Sequence, residues 1–174
     1  MKKRKRILTW VVVCAVLLAM AAVIAVLAHL NAPKDVDGER LALVQGENTL
    51  ASWTIAELQE MPAVEAYKEI SSSNHANDAG LFRGVALYTL LQSAGGEALQ
   101  NASKVYVYAK DGYMTSYKMS EISNNDGFLL AYSKDGQSLG TMGDDNGSGP
   151  LRLVVVSDEF GTRSCKYVYK IEIK

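Results

Sequence analysis

Cysteine, histidine and proline are scarce: the 174 residues include two, two and three of them. Cys14 lies inside a long uncharged run, so Cys165 is the single thiol downstream, and an intramolecular disulfide is excluded there. A lone thiol of this kind reads as a small buried hydrophobe. His75 is the only histidine beyond residue 30. No Ser-His-Asp arrangement is supported by the spacing, and neither a paired-cysteine zinc pattern nor a phosphate loop is present. Basic clusters are also missing beyond residue 6. With the five cations of the first six residues set aside, 13 of the 18 Lys and Arg face 19 acids, a net charge of about −6. That balance argues against a nucleic-acid partner. Asp144-Asp145-Asn146-Gly147 lacks the alternating ligands and the later glutamate of a calcium loop, so it reads as a turn.

What is present begins at the N-terminus. Residues 1–6 form a basic tail, and from Ile7 to Leu30 no residue is charged. A helix of that length crosses a hydrocarbon core of about 30 Å. Cations on its N-terminal side alone place the N-terminus in the cytoplasm and the rest of the chain on the outer face of the cell membrane. A cleaved signal peptide is the competing reading. Its apolar region is shorter, however, and Ala28-His29-Leu30-Asn31-Ala32 is a poor cleavage site, so an uncleaved single-pass anchor is favoured. Residues 31–40 then form a polar linker broken by Pro33 and Gly38, and the folded domain spans 41–174.

Within the domain, strands are expected at Leu41–Val44, Leu50–Trp53, Val64–Ile70, Val105–Ala109, Tyr113–Tyr117, Phe128–Tyr132 and Leu151–Val156, with a half-exposed closing strand at Tyr167–Ile173. Thr54-Ile55-Ala56-Glu57 fits a capping box opening a short helix that Met61-Pro62 stops. Residues 71–80 read as a polar loop. Val85, Leu87, Leu90, Leu91 and Ala94 form the apolar stripe of a second helix, closed at Gly95-Gly96. Roughly eight strands irregularly interleaved with two short helices make a mixed-sheet α+β domain. The tyrosines at 106, 108, 113, 117, 167 and 169 alternate as strand faces do and read as sheet packing. Arg152 is anomalous, because a guanidinium one step into an apolar strand must reach a carboxylate, a bound anion or solvent.

The order of landmarks resembles a known family. Thr54-Ile55-Ala56-Glu57-Leu58 with Met61-Pro62 is followed by Phe82-Arg83-Gly84-Val85-Ala86-Leu87 with Leu90-Leu91. Asp111-Gly112-Tyr113, Leu129-Leu130-Ala131-Tyr132, Gly149-Pro150-Leu151-Arg152-Leu153-Val154-Val155 and Lys166-Tyr167-Val168 complete the series. Together they resemble the molybdopterin-binding domain of the sulfite oxidase family. That resemblance implies a mixed-sheet α+β fold holding a pyranopterin with molybdenum, and two-electron or oxygen-atom chemistry. It implies cofactor-side roles for Arg152, Asp111, Tyr113, Asn74, His75 and Arg83. Catalytic members ligate molybdenum through a cysteine thiolate in the segment before the Gly-Val-x-Leu helix, and Ile70 to Asn77 contains no cysteine. Holoproteins of this family are exported folded on a twin-arginine signal, and Arg4-Lys5-Arg6 has no adjacent arginines. The expectation is therefore a non-catalytic module for a small ligand or for an envelope or redox protein, with no protein metal ligand and no cofactor required. The alternative is a genuine molybdopterin-dependent oxidoreductase with an atypical metal ligand.

Overall fold

The computed structural model describes residues 40–70, 78–123, 127–158 and 161–174, together with Met20. The basic tail, the span expected at 7–30 and nearly all of the linker therefore lie outside the described residues, as do Asn74 and His75. Among the described residues no helix is long and apolar enough to cross a membrane. The chain divides into two compact units, 1–35 and 36–174, and the second is the folded domain.

Among the described residues ten strands are formed: β1 (Arg40–Gln45), β2 (Asn48–Thr54), β3 (Ala63–Ile70), β4 (Asp78–Ala86), β5 (Lys104–Ala109), β6 (Met114–Lys118), β7 (Phe128–Lys134), β8 (Gln137–Ser138), β9 (Arg152–Val155) and β10 (Val168–Ile173). Three helices separate them, α1 (Ile55–Gln59), α2 (Leu87–Gln100) and α3 (Met119–Ser123), with a 3-10 turn at Gly161–Arg163. The first sheet runs β2-β1-β10-β5-β6, with only the β1–β10 pair parallel. The second runs β3-β4-β7, and β8 and β9 both pair with β7. Alternation sends Leu41, Leu43, Val105, Val107, Ile171 and Ile173 inward to meet Val85, Leu130, Leu153 and Val155 of the second sheet and the apolar stripe of α2. Burying each large apolar side chain in this shared core stabilises the fold by roughly 1.5–3 kcal/mol.

Most of the expected elements form, and three differ. The strand at 168–173 is not a half-exposed closing strand: it is the centre of the first sheet, hydrogen-bonded by β1 and β5, with all but Lys170 buried. Its polar Glu172 can be buried because the Tyr108 hydroxyl donates to it at 2.6 Å and Lys174 pairs with it at 3.0 Å. Residues 78–86, expected to close a loop and open a helix, form β4, and the helix begins only at Leu87. The strand is hard to read because Gly80 and Gly84 weaken its pattern. A Cβ on Gly84 would overlap the Leu130 carbonyl and lie 2.6 Å from Ala131 Cα, so glycine is needed for two strands to close up. Lastly, Gly96 (φ 47) breaks α2 where expected, yet the helix resumes to Gln100.

The second sheet curls on itself. Asp78 lies six residues before Gly84, a separation of about 20 Å in a straight strand. Gly84 pairs with Ala131 and Ala131 with Arg152, yet Arg152 bonds Asp78. The β3–β4 hairpin therefore bends over its own sheet. It encloses a second core of Ile70, Phe82, Leu129, Ala131, Leu139 and Val154. Lys68 reaches from β3 to the Val156 carbonyl at 3.1 Å and to that of Asp158, bridging the open seam of the curl.

Candidate functional site

At the mouth of the curled sheet, Arg152 opens β9 with 3% of its surface exposed. Its Nη1 donates to one oxygen of Asp78, and Lys134 Nζ donates to the other. Both cations sit over the Phe82 ring, with Arg152 at 5.4 Å and Lys134 at 5.8 Å from its centroid. Of the three outlets expected for Arg152, the carboxylate is the one used. Burial pushes the Asp78 carboxyl up, but the hydrogen bonds from Lys134 and Arg152 outweigh it, and the net shift is downward. Arg152 Nε is buried and has no hydrogen-bond partner among the described residues. Two cations on one carboxylate make a fixed net positive centre at the start of β4, directly after residue 77. Asp78 and Lys134 did not stand out in the sequence. The available signal was the period of two, which puts Asp78, Gly80 and Phe82 on one face. A Cβ on Gly80 would overlap Lys134 Cε, so the glycine lets Lys134 lie across to Asp78.

Arg83 follows Phe82 and points to the opposite face of the strand. It is half exposed, pairs with Glu65 at 2.8 Å across the β3–β4 ladder, and is held charged first by that hydrogen bond and then by Tyr132. It lines a cleft of about 490 Å³ with Ile55, Tyr132, Ser133, Leu139 and Pro150. The volume suits a small ligand, with one cation and a few hydroxyls against an apolar wall.

Asp111 and Tyr113 lie elsewhere, on the β5–β6 turn of the first sheet. Asp111 Oδ1 accepts from the Tyr113 amide at 2.9 Å, Gly112 takes φ 87, and the Tyr113 hydroxyl donates to the Thr162 carbonyl at 2.6 Å. Burial raises the Tyr113 hydroxyl pKa. No hydrogen bond, ion pair or ring contact among the described residues joins Asp111 or Tyr113 to Arg83 or Arg152. The four are thus spread over two faces of the second sheet and a turn of the first. Asp144 turns its carboxylate back on the Thr141 amide and hydroxyl at 2.6 and 2.9 Å, as a turn residue does.

Cys165 is wholly buried in the shared core, its thiol directed at the Lys166 carbonyl and pushed up to about 12 by burial. Such a thiol is neither ionised nor reachable by a metal. Among the described residues no group of three or more His, Cys, Asp or Glu could hold a metal ion. Outside the uncharged run at 7–30, Cys165 is the only cysteine in the sequence. The donor set therefore does not fit a molybdenum centre ligated by a protein thiolate.

No curated protein matches the sequence. Among solved structures, the crystal structure of the sulfane dehydrogenase SoxCD from Paracoccus pantotrophus matches with a TM-score of 0.63 at 18% identity, over 80% of this chain and 39% of that chain. The present chain thus spans about two-fifths of that chain's length, and at this identity the likeness is one of fold. The sequence model described as the oxidoreductase molybdopterin binding domain matches residues 29–174, which takes in all ten strands and the three helices. With its landmarks in family order and its fold shared, this chain belongs to the oxidoreductase molybdopterin-binding domain family, the sulfite oxidase type.

Proposed function

We propose that the chain is a membrane-anchored, extracytoplasmic member of this family that has kept the fold without thiolate-ligated molybdenum catalysis and serves as a binding module. The observation that carries this reading is the fate of the cysteines. Residues 70–77 contain none, and Cys165 is sealed in the core with its thiol pushed up to about 12. The ligand is a small molecule seated in the cleft beside Arg83, or the module docks on an envelope or redox protein. The uncharged run at 7–30 behind a basic tail supports the anchor and the outward orientation.

A second reading, a molybdopterin-dependent oxidoreductase with a substitute ligand from Ser71 to His75, is favoured by the unbroken family match over 29–174. The two are separated by making the full chain both in cells able to synthesise molybdopterin and in cells that cannot. A binding module without the cofactor melts at the same temperature from either source. A cofactor held at a hundred times its dissociation constant would add about 2.7 kcal/mol, and its loss would lower the midpoint by several degrees.

A further inference from the structure

The outer face of the first sheet gathers five of the domain's cations. Strand register puts Arg40 of β1, Lys170 of β10, Lys104 of β5 and Lys118 of β6 on that face, and Lys174 follows β10 on the same side. Tyr106 and Tyr108 lie between them, with Lys174 4.9 Å and Lys170 3.9 Å from the ring centroids. Glu172 on this face is already bound by Tyr108 and Lys174, Arg40 pairs with Glu57 at 3.7 Å, and Glu47 stands at the β1–β2 turn. Four cations elsewhere are paired: Arg83 with Glu65, Lys134 and Arg152 with Asp78, and Arg163 with Asp158 and Glu121. Lys104, Lys118 and Lys170 make no ion pair among the described residues. Lys104 and Lys118 stand directly opposite each other in the β5–β6 ladder, a like-charge pair that destabilises a sheet. No described helix covers this face, since α1 and α2 both pack into the core on its other side.

We infer that this face rests on an anionic lipid surface, an inference that depends on the membrane-anchor reading above. The chemistry is that of anionic phospholipid headgroups meeting a flat array of lysines, with the tyrosine rings at headgroup level. The sequence supplies the reach. β1 is itself a strand of this sheet, and the residues between the end of the uncharged run at Leu30 and Arg40 span at most about 30 Å. The opposed lysines then meet the charge that offsets their repulsion.

The test uses the full chain in nanodiscs of phosphatidylglycerol or of phosphatidylcholine, with lysine acetylation rates read by mass spectrometry. Lys104, Lys118, Lys170 and Lys174 are expected to react several-fold more slowly in phosphatidylglycerol, while Lys166, which belongs to no strand, reacts equally in both. The protection should fade at high salt. Lys118→Glu, a change of two charge units, should lower the lipid affinity behind that protection about thirty-fold, and at the same time raise the thermal midpoint by turning a like-charge pair into an opposite one. Equal rates in the two lipids, in a chain that enters the discs, would overturn the lipid contact and leave the anchor standing. Slow acetylation in both lipids would overturn it too, since the cover would not depend on charge. A chain that fails to enter the discs would remove the anchor and this contact with it.

Discussion

Arg152 and Cys165 show what a single buried residue can and cannot do in this fold. Arg152 is held by Asp78, so removing the carboxylate leaves a charge with 3% of its surface exposed, no counter-ion among the described residues, and a second cation, Lys134, repelling it. Asp78→Asn is expected to cost about 3 kcal/mol in urea unfolding, the low end for a broken buried pair because Asp78 is one-third exposed. Arg152→Met should cost less, since Asp78 keeps Lys134 and an apolar chain fills the space over Phe82. At Cys165, a maleimide should label the native protein far more slowly than the urea-unfolded one. Rapid native labelling would show that the thiol is open and would undo the argument from its burial. The need of Arg152 for a partner was legible, because a guanidinium in an apolar strand has few outlets. The partner was not legible, because Asp78 is 74 residues away and only the curl of the hairpin brings it near.

At the scale of elements, local chemistry and long-range packing divide the fold between them. The capping box of α1 forms as the spacing predicts, with Thr54 Oγ1 accepting from the Glu57 amide at 3.2 Å and Glu57 Oε2 accepting from the Thr54 amide at 2.7 Å. Thr54→Ala should therefore cost about 1 kcal/mol, measured as a shift in the urea midpoint. β4 was hidden, because its two glycines serve contacts with β7 that the sequence of β4 alone does not contain. Gly84→Ala should destabilise far more than the cap does, as the new methyl meets backbone atoms of Leu130 and Ala131 that cannot move aside. A full-strength fold in that variant would contradict the close approach from which the curl is argued. The placing of β10 escaped notice for a related reason. Alternation marks a strand as having two unlike faces, but not which strands flank it, and here a parallel partner from the start of the folded domain covers one edge.

For the molecule as a whole, two sheets share one core and the second curls around another, so charged groups at the curl's mouth act on global stability. Asp78 at that mouth and Glu172 on the first sheet both have carboxyl pKa values that burial raises but hydrogen-bonded cations, and for Glu172 a hydroxyl, lower by more, a net depression in the folded state. Groups of that sign contribute stability in full above the ordinary carboxylate range, and the contribution is lost as pH falls through the folded values. The urea midpoint should thus hold from pH 7 to about 5 and fall below about 4, and Asp78→Asn should flatten the fall. A wild-type midpoint that rises on acidification would refute the assignment.

The family was legible from ordered landmarks, and the α+β class from irregular alternation of periods. The grouping of the candidate residues was not, because Arg83, Arg152 and the Asp111-Tyr113 turn are each positioned by a different face or sheet. Whether the family fold is kept here without its thiolate-ligated metal is decided by measuring molybdenum by elemental analysis, with pterin fluorescence after acid oxidation, on the full chain purified from its native cells. Far less than one molybdenum and one pterin per chain is expected, and near-stoichiometric amounts of both would contradict a fold kept without that metal.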